Sequence, residues 1–525
     1  SFVQILLIVA VAAIFYGIYR FTAKYYHLIS GMFPFTFILF TIFIATLFLG
    51  GKPINENKTQ YLVVNLYLGS LEDDSYVENE ENVEYPLLKD NEVPNVLGEH
   101  FNLGEEKPDI VFLMIEGLGR DFVGAEAEFG GFTPYLDSLT QKSLYFENCL
   151  SNTGRTFGVL PSLIGSLPFG KKGFMELETS PNRHTLFSIL KNDGYFTSFL
   201  QGTNSSFDNV DNFLVEENVD FVLERSRFGD GYELSPADAS GSSWGYTDRE
   251  LFRKSFSLKR DIKGPKLDVY MTISNHEPFI PPKQAYFERQ VEKLLKTSKL
   301  NRKAKRVVGK NKNVFATLLY TDDAIKYFME SYKRQNKNYE NTIFIITGDH
   351  RLVPIRQRNT LSRFHVPLIM YSPMLKAPKK VSAINSHFDV TPSILSLLKE
   401  KYNIAMPIKT AWMGGGLDME TSFRGTKSIP LMRNKNELKE YVHNNKFFSD
   451  GDVYKIDKNM NLSSASDSKL KKMLNDFKSM NAYVTGNNKI IPDSLSIFKV
   501  EKEVFTEEEM VYINSVLTEN NFDKA

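Results

Sequence analysis

Two long apolar runs, residues 2–19 and 28–50, open the chain; Gln4 is the one polar interruption of the first, and the second carries no charge. Each is close to the ~20 residues an α-helix needs to cross a bilayer core. Soluble cores seldom place two such runs side by side at a chain end. The link between them holds Arg20 and Lys24 and no acid, which puts it on the cytoplasmic side. Residues 1–50 are therefore predicted to form a transmembrane hairpin with both ends, and everything after it, facing outward. A cleaved signal peptide is not expected, because the second run follows without a small-residue cleavage site. The first residue is Ser1 rather than Met, and its outward position predicts further helices upstream.

Residues 51–107 read as a linker. An amphipathic stretch (YLVVNLYLG) precedes an acidic, Asn-rich run (EDDSYVENEENVE) with the composition of a solvated loop. From residue 108 the pattern changes. Short β-branched apolar runs (IVFLMI, YFTSFL, VYMTI, IFII, VPLIMY) alternate with helical spacing, as in a parallel sheet covered on both faces. This predicts an α/β catalytic domain, doubly wound on a mostly parallel sheet, over residues 108–430. Within it, residues 285–312 have helical spacing and about ten basic side chains. That segment is either a solvated basic face or a contact for anionic lipid headgroups or an anionic polymer. Residues 431–525 suggest a small α+β subdomain with nothing catalytic in it, and no internal repeat is visible.

Composition narrows the function. At 525 residues the chain exceeds one compact core, and Lys+Arg equal Asp+Glu at 63 each. No global field recruits nucleic acid. The single cysteine, Cys149, rules out an intrachain disulfide.

Ligands collect at the carboxyl ends of parallel strands, and polar clusters stand there. IVFLMI ends at Glu116, VYMTI runs into SNHEPF with His276, and IFII runs into TGDHR with Asp349 and His350; Arg363 and His365 precede VPLIMY. Glu116, Asp349 and His350 are a ligand set for a divalent transition metal such as Mn²⁺ or Zn²⁺. Thr156, behind Gly154 and Arg155 and just before an apolar helix, is the candidate nucleophile. A hydroxyl there meets backbone N–H groups that favour an incoming anion, and a metal ligand environment activates it. The competing role for Thr156 is a plain helix cap. Arg155 is placed to pair with phosphate oxygens. Arg351 either contacts a phosphate or forms a structural ion pair.

The run TPYLDSLTQKSLYFENCLSN resembles the TPNLDxLAxxGxxFxNxY segment of the sulfatase and alkaline-phosphatase superfamily. Together with IEGLGR, GRT, SNHEPF, YTDDAIKYFMES, TGDHR and HFDVTPSILSLL, in that order, it is similar to the lipoteichoic acid synthases and related phosphoglycerol transferases. The resemblance spans roughly residues 108–398. It implies a sulfatase-like catalytic domain facing outward from the bacterial cytoplasmic membrane, carried in that family by five membrane helices. It also implies one divalent metal ion, Mn²⁺ first and Zn²⁺ or Mg²⁺ as alternatives, held by Glu116, Thr156, Asp349 and His350. His276 would bind substrate. The implied donor is a phospholipid headgroup and the implied acceptor an envelope glycan or polymer. One stretch departs from the family: where a Trp and an Arg follow a Ser-Phe pair, this chain has SSFDNVDNF, with Asp208 and Val210 in their places. Trp244 and Asp248, in SSWGYTDRELF, resemble another shared motif, in which Asp248 caps or orients.

Other chemistries are weighed on residues. A formylglycine sulfatase needs C/S-x-P-x-R, and Cys149 is followed by LSNTG instead. A phosphoethanolamine transferase would use the same Thr and metal but generally carries disulfides. A two-metal phosphatase would need a second set, for which His387 and Asp389 are the candidates. A non-catalytic envelope subunit would be marked by the loss of a ligand, and none is lost; the changed positions Asp208 and Val210 and the C-terminal extension keep that alternative open.

Overall fold

The computed structural model describes residues 83–238, 241–258 and 262–497, and scattered helical positions between 16 and 42. The two apolar runs and most of the linker lie largely outside the described residues. Among those described, no helix is long and apolar enough to cross a membrane. Residues Ser1–Asp74 and Ser75–Ala525 form separate compact units, and the second holds all that follows.

The strands appear where buried β-branched and aromatic runs lie between polar loops. In chain order they are β1 (Lys89–Asp90), β2 (Asp109–Ile115), β3 (Leu144–Leu150), β4 (Phe196–Gln201), β5 (Phe221–Leu223), β6 (Lys266–Met271), β7 (Thr342–Gly348), β8 (His365–Tyr371), β9 (Lys379–Val381), β10 (Asn385–Ser386) and β11 (Lys409–Thr410). Among the described residues the central sheet has nine strands in the order β10-β3-β8-β7-β2-β6-β4-β5, with β9 also on β3. All pairings are parallel except those of β8, which runs antiparallel to both β3 and β7. The sheet is thus mixed, mostly parallel. Reversing β8 brings its first residue, His365, to the edge where β3 and β7 end. The β3 register breaks between Phe146 and Cys149, opposite the start of β8, where Pro367 supplies no N–H to a ladder.

Helices cover both faces. They are α1 (Pro134–Thr140), α2 (Val159–Gly165), α3 (Leu186–Asn192), α4 (Val210–Glu216), α5 (Asp248–Ser257), α6 (Gln284–Thr297), α7 (Arg302–Lys310), α8 (Lys312–Gln335), α9 (Val390–Tyr402) and α10 (Ser468–Gly486). Ile110, Phe112 and Met114 of β2 join one core with α2, α3, α4 and α9. Val111, Leu113 and Ile115 join the other with α1, α5, α6, α7 and α8. That alternation is the two-residue period of a strand buried on both sides. Asp322 of α8 accepts the Tyr135 and Leu136 backbone N–H groups at 2.8 and 2.9 Å, so one helix interior caps the start of α1.

The C-terminal region adds an antiparallel meander, β12 (Ser428–Met432), β13 (Leu438–His443), β14 (Lys446–Ser449), β15 (Asp452–Ile456) and β16 (Leu462–Ala465). Its Leu438, Tyr441 and Phe448 share a core with α10 and with Phe157 and Phe388 of the α/β body. Phe157 is the neighbour of Thr156, so this sheet packs directly beneath the candidate nucleophile.

Candidate active site

Register creates the site. In the β2–β7 pair Ile115 faces Gly348, so the next residue of each strand, Glu116 and Asp349, emerge side by side at the carboxyl edge. Gly348 is required there: a Cβ would stand 2.0 Å from the Leu118 carbonyl oxygen. His350 follows Asp349. From β3, residues 151–155 carry the chain across the same edge to Thr156, which opens a 3₁₀ turn, Thr156–Gly158, ahead of α2. Arg155, not Thr156, stands at the N-cap of that turn, and the Thr156 side chain turns to the carboxylates.

Thr156 Oγ1 lies 2.7 Å from Asp349 Oδ2, 3.2 Å from Glu116 Oε2 and 3.4 Å from His350 Nε2. One ligand atom from each of Glu116, Asp349 and His350 falls within 4.8 Å of the others, the one such group among the described residues. The other atoms of these groups are tied to the frame. Asp349 Oδ1 accepts the Gly117 and His350 N–H groups, both at 2.7 Å. His350 Nδ1 donates to the Arg351 carbonyl at 2.9 Å, and its Nε2 faces the carboxylates, 3.5 Å from Glu116 Oε1 and 3.6 Å from Asp349 Oδ2. Asn275 Nδ2 donates to the Glu116 carbonyl. Burial, with Asp349 alongside, holds the Glu116 carboxyl well above the usual range. Two buried carboxylates and an imidazole nitrogen aimed at one point are the donor set a divalent cation neutralises, and Thr156 Oγ1 adds a fourth donor.

Two cavities meet at this cluster. The larger, about 560 Å³, is walled by Thr156, Met175, Phe207, Val210, Trp244 and His276. The smaller, about 460 Å³, adds Arg155, Phe157, His350, Asn434 and Lys435. His276 lines both and lies with its ring centroid 4.3 Å from that of Trp244, which in turn meets Phe207 edge-on at 5.6 Å. Arg155 is exposed at the rim. Asp248 is buried and accepts the Ile273 and Ser274 N–H groups at 2.9 and 3.0 Å, so it orients the loop that carries His276.

Sequence reasoning missed Lys435. From the β12–β13 turn it reaches Asp208 Oδ1 at 2.7 Å and Glu176 Oε1 at 2.6 Å, at the wall of the smaller cavity. The C-terminal region, in which nothing catalytic is expected, therefore lends a residue to the wall of the site. Nothing local in the sequence marks Lys435, whose partners lie more than two hundred residues away.

Other singled-out positions are engaged inside the protein. Arg351 does not reach substrate space. It is buried, bridges Asp121 and donates to the carbonyls of Leu352, Ile355 and Arg356, so its guanidinium is committed inside the protein. His365 sits on the Glu147 carbonyl at 2.7 Å. His387 and Asp389 form no second metal set. Asp389 pairs with Lys427 at 2.8 Å and accepts Ser386 N–H, while His387 Nε2 lies 3.0 Å from Thr347 Oγ1 and its Nδ1 has no partner. Cys149 is buried inside β3, and burial pushes its thiol pKa up.

His387 supplies a stability prediction. Burial pushes its pKa down to about 3, so the folded protein keeps it neutral while the unfolded chain protonates it below about pH 6.5. Its contribution is complete above that pH and falls by roughly 1.4 kcal/mol per pH unit on the way down to about pH 3. By chemical denaturation, the stability change of the wild type between about pH 7.5 and about pH 5 should be less favourable than that of His387→Gln by roughly 2 kcal/mol. An unchanged pH slope in the variant would contradict this assignment.

The mixed sheet with its polar cluster at the carboxyl edge is an alkaline-phosphatase-like fold, and solved structures share it. A protein of the alkaline phosphatase superfamily from Vibrio parahaemolyticus superposes with a TM-score of 0.56 at 19% identity, over 81% of this chain and 96% of that one. The lipoteichoic acid synthase LtaP from Listeria monocytogenes does so with 0.54 at 16%, over 74% and 94%. The chain belongs to the sulfatase family, whose model matches residues 108–400. It is 22% identical over 317 residues to the lipoteichoic acid synthase-like protein YvgJ of Bacillus subtilis, 55% of this chain and 47% of that protein. To lipoteichoic acid synthase 2 of the same organism it is 23% identical over 350 residues, 60% and 48%. The chain thus spans about half the length of these curated relatives.

Proposed function

We propose that this protein is a membrane-anchored, metal-dependent phosphotransferase that moves a phosphoglycerol-type headgroup from a phospholipid to an extracytoplasmic acceptor through a phosphothreonine intermediate. The observation that carries the reading is Thr156 Oγ1 within hydrogen-bond reach of Asp349 and Glu116, at the point where two cavities meet. Similarity to lipoteichoic acid synthases supports the donor class, and the two apolar runs support anchoring in the bacterial cytoplasmic membrane.

Glu116, Asp349 and His350, with Thr156, would hold one divalent ion, Mn²⁺ first. Bound there, such an ion supplies positive charge that lowers the pKa of a hydroxyl and offsets phosphate charge. Thr156 Oγ1, its proton given up to solvent beforehand, forms the bond to phosphorus as the bond from phosphorus to the diacylglycerol oxygen breaks. His276, on the wall of both cavities, hands a proton to that leaving oxygen, and Arg155 at the rim offsets phosphoryl charge. In the second half-reaction an acceptor hydroxyl passes its proton to His276, restoring it, and attacks the same phosphorus as the bond from phosphorus to Thr156 Oγ1 breaks.

Diacylglycerol release from phosphatidylglycerol and from phosphatidylethanolamine, by the purified full chain with Mn²⁺, tests the reading. Release from phosphatidylglycerol alone is expected. Preference for phosphatidylethanolamine would replace it with a phosphoethanolamine transferase, and release from neither lipid with metal bound would reject a phospholipid donor.

A further inference from the structure

The helices α6 and α7 fold into a hairpin against α8. Phe287 meets Tyr320 at 5.5 Å, Val291, Ala304 and Val308 are buried, and Leu294, Leu295, Leu300 and Val307 pack against the same core. The apolar stripes are thus spent on packing, and the remaining faces are basic. Residues 283–312 contain eleven Lys and Arg against two acids, Glu288 and Glu292, in a chain whose charges sum to zero overall. Glu292 is engaged by Lys312 at 2.7 Å.

Cations are aligned along the hairpin. Arg289, Lys293 and Lys296 stand four and three residues apart on α6, and Arg302, Arg306 and Lys310 stand four apart on α7, so each set shares one helix face. All six are exposed, and so are Lys299 and Lys303. Among the described residues none of these eight side chains forms a hydrogen bond or ion pair. Tyr286, 49% exposed, lies one turn before Arg289 and continues that stripe.

We propose that this face docks on a bilayer surface carrying anionic lipid headgroups. Charge complementarity selects an anionic partner, and each Lys or Arg near such a surface adds to the attraction. The exposed tyrosine selects the bilayer over a soluble polyanion, because an aromatic ring with a polar tip suits the headgroup zone. The proposal does not depend on the phosphotransfer reading. It concerns binding, which Thr156→Ala leaves intact.

The test reconstitutes the full chain, as Thr156→Ala, in bilayers of phosphatidylcholine with or without phosphatidylserine, an anionic lipid that is not the proposed donor. A membrane-impermeant acetylating reagent then reports the accessibility of Lys293, Lys296, Lys299, Lys303 and Lys310, with Lys472 of α10 as reference. Acetylation of the five is expected to slow by roughly threefold or more in the anionic bilayer, and the effect should vanish near 1 M salt, where the Debye length is about 3 Å. A variant carrying Lys293→Glu, Lys296→Glu, Lys303→Glu and Arg306→Glu, with unchanged thermal melting, should lose protection at Lys299 and Lys310. Equal rates in the two bilayers overturn the proposal. Protection that appears only when soluble poly(glycerol phosphate) is added to neutral bilayers also overturns it and assigns the face to a polymer.

Discussion

Thr156→Ala is expected to lower donor turnover by at least about a thousandfold while the fold survives, since removing a nucleophile forfeits the covalent route as a whole. The geometry separates this from a folding defect. Thr156 is half-buried and occupies no N-cap position, since Arg155 and Gly158 stand at the caps of the two helical turns that follow. Its hydroxyl is aimed at Asp349 and Glu116, so what is lost is chemistry. Thr156→Ser keeps the oxygen and should retain activity within roughly tenfold of wild type, because serine loses only the methyl that restricts χ1. With donor present and acceptor withheld, mass spectrometry should find the added headgroup phosphate on the peptide containing Thr156 in the wild type and not in the alanine variant. Turnover by the alanine variant at the wild-type rate would eliminate this nucleophile.

The second large effect is at Asp349. Asp349→Asn preserves an oxygen for the Gly117 and His350 N–H groups and replaces the oxygen facing Thr156 with an uncharged amide. Mn²⁺ affinity, read by isothermal titration, should fall on the order of a hundredfold or more, since even residues behind the ligands cost ten to a hundredfold. The stability signs are opposite with and without metal. In the metal-free protein the substitution removes a carboxylate charge that, second to burial, raises the Glu116 pKa, so stability should hold or rise. With Mn²⁺ at about a hundred times its Kd the wild type should gain roughly 2.7 kcal/mol and the variant almost nothing. Equal Mn²⁺ affinity in the two proteins would refute the metal assignment.

Much of this was legible beforehand because parallel strands carry their own geometry. IVFLMI and IFII read as strands from β-branched, fully apolar runs, and polar residues just beyond two parallel neighbours must emerge at one edge. Glu116 next to Asp349 and His350 follows from that rule once β2 and β7 are neighbours. The direction of β8 was not legible, because VPLIMY has the same composition whichever way it runs. Nor was the fate of Arg351. In TGDHR an arginine turned outward and one turned inward look alike, and the inward choice depends on Asp121 and three carbonyls assembled by the fold.

The amino-acid sequence by itself determined the α/β class, the apolar N-terminal runs, the metal-ligand types and the nucleophile candidate, since these depend on local composition and on residues adjacent to strands. Tertiary structure alone decided that Lys435 of the β12–β13 turn closes on Asp208 and Glu176, that His387 is a buried neutral imidazole, and that the basic stripes of α6 and α7 remain unpaired. Each of these depends on contacts between segments far apart in the chain, where a side chain's role is set by which neighbours the packed core leaves within a few ångströms.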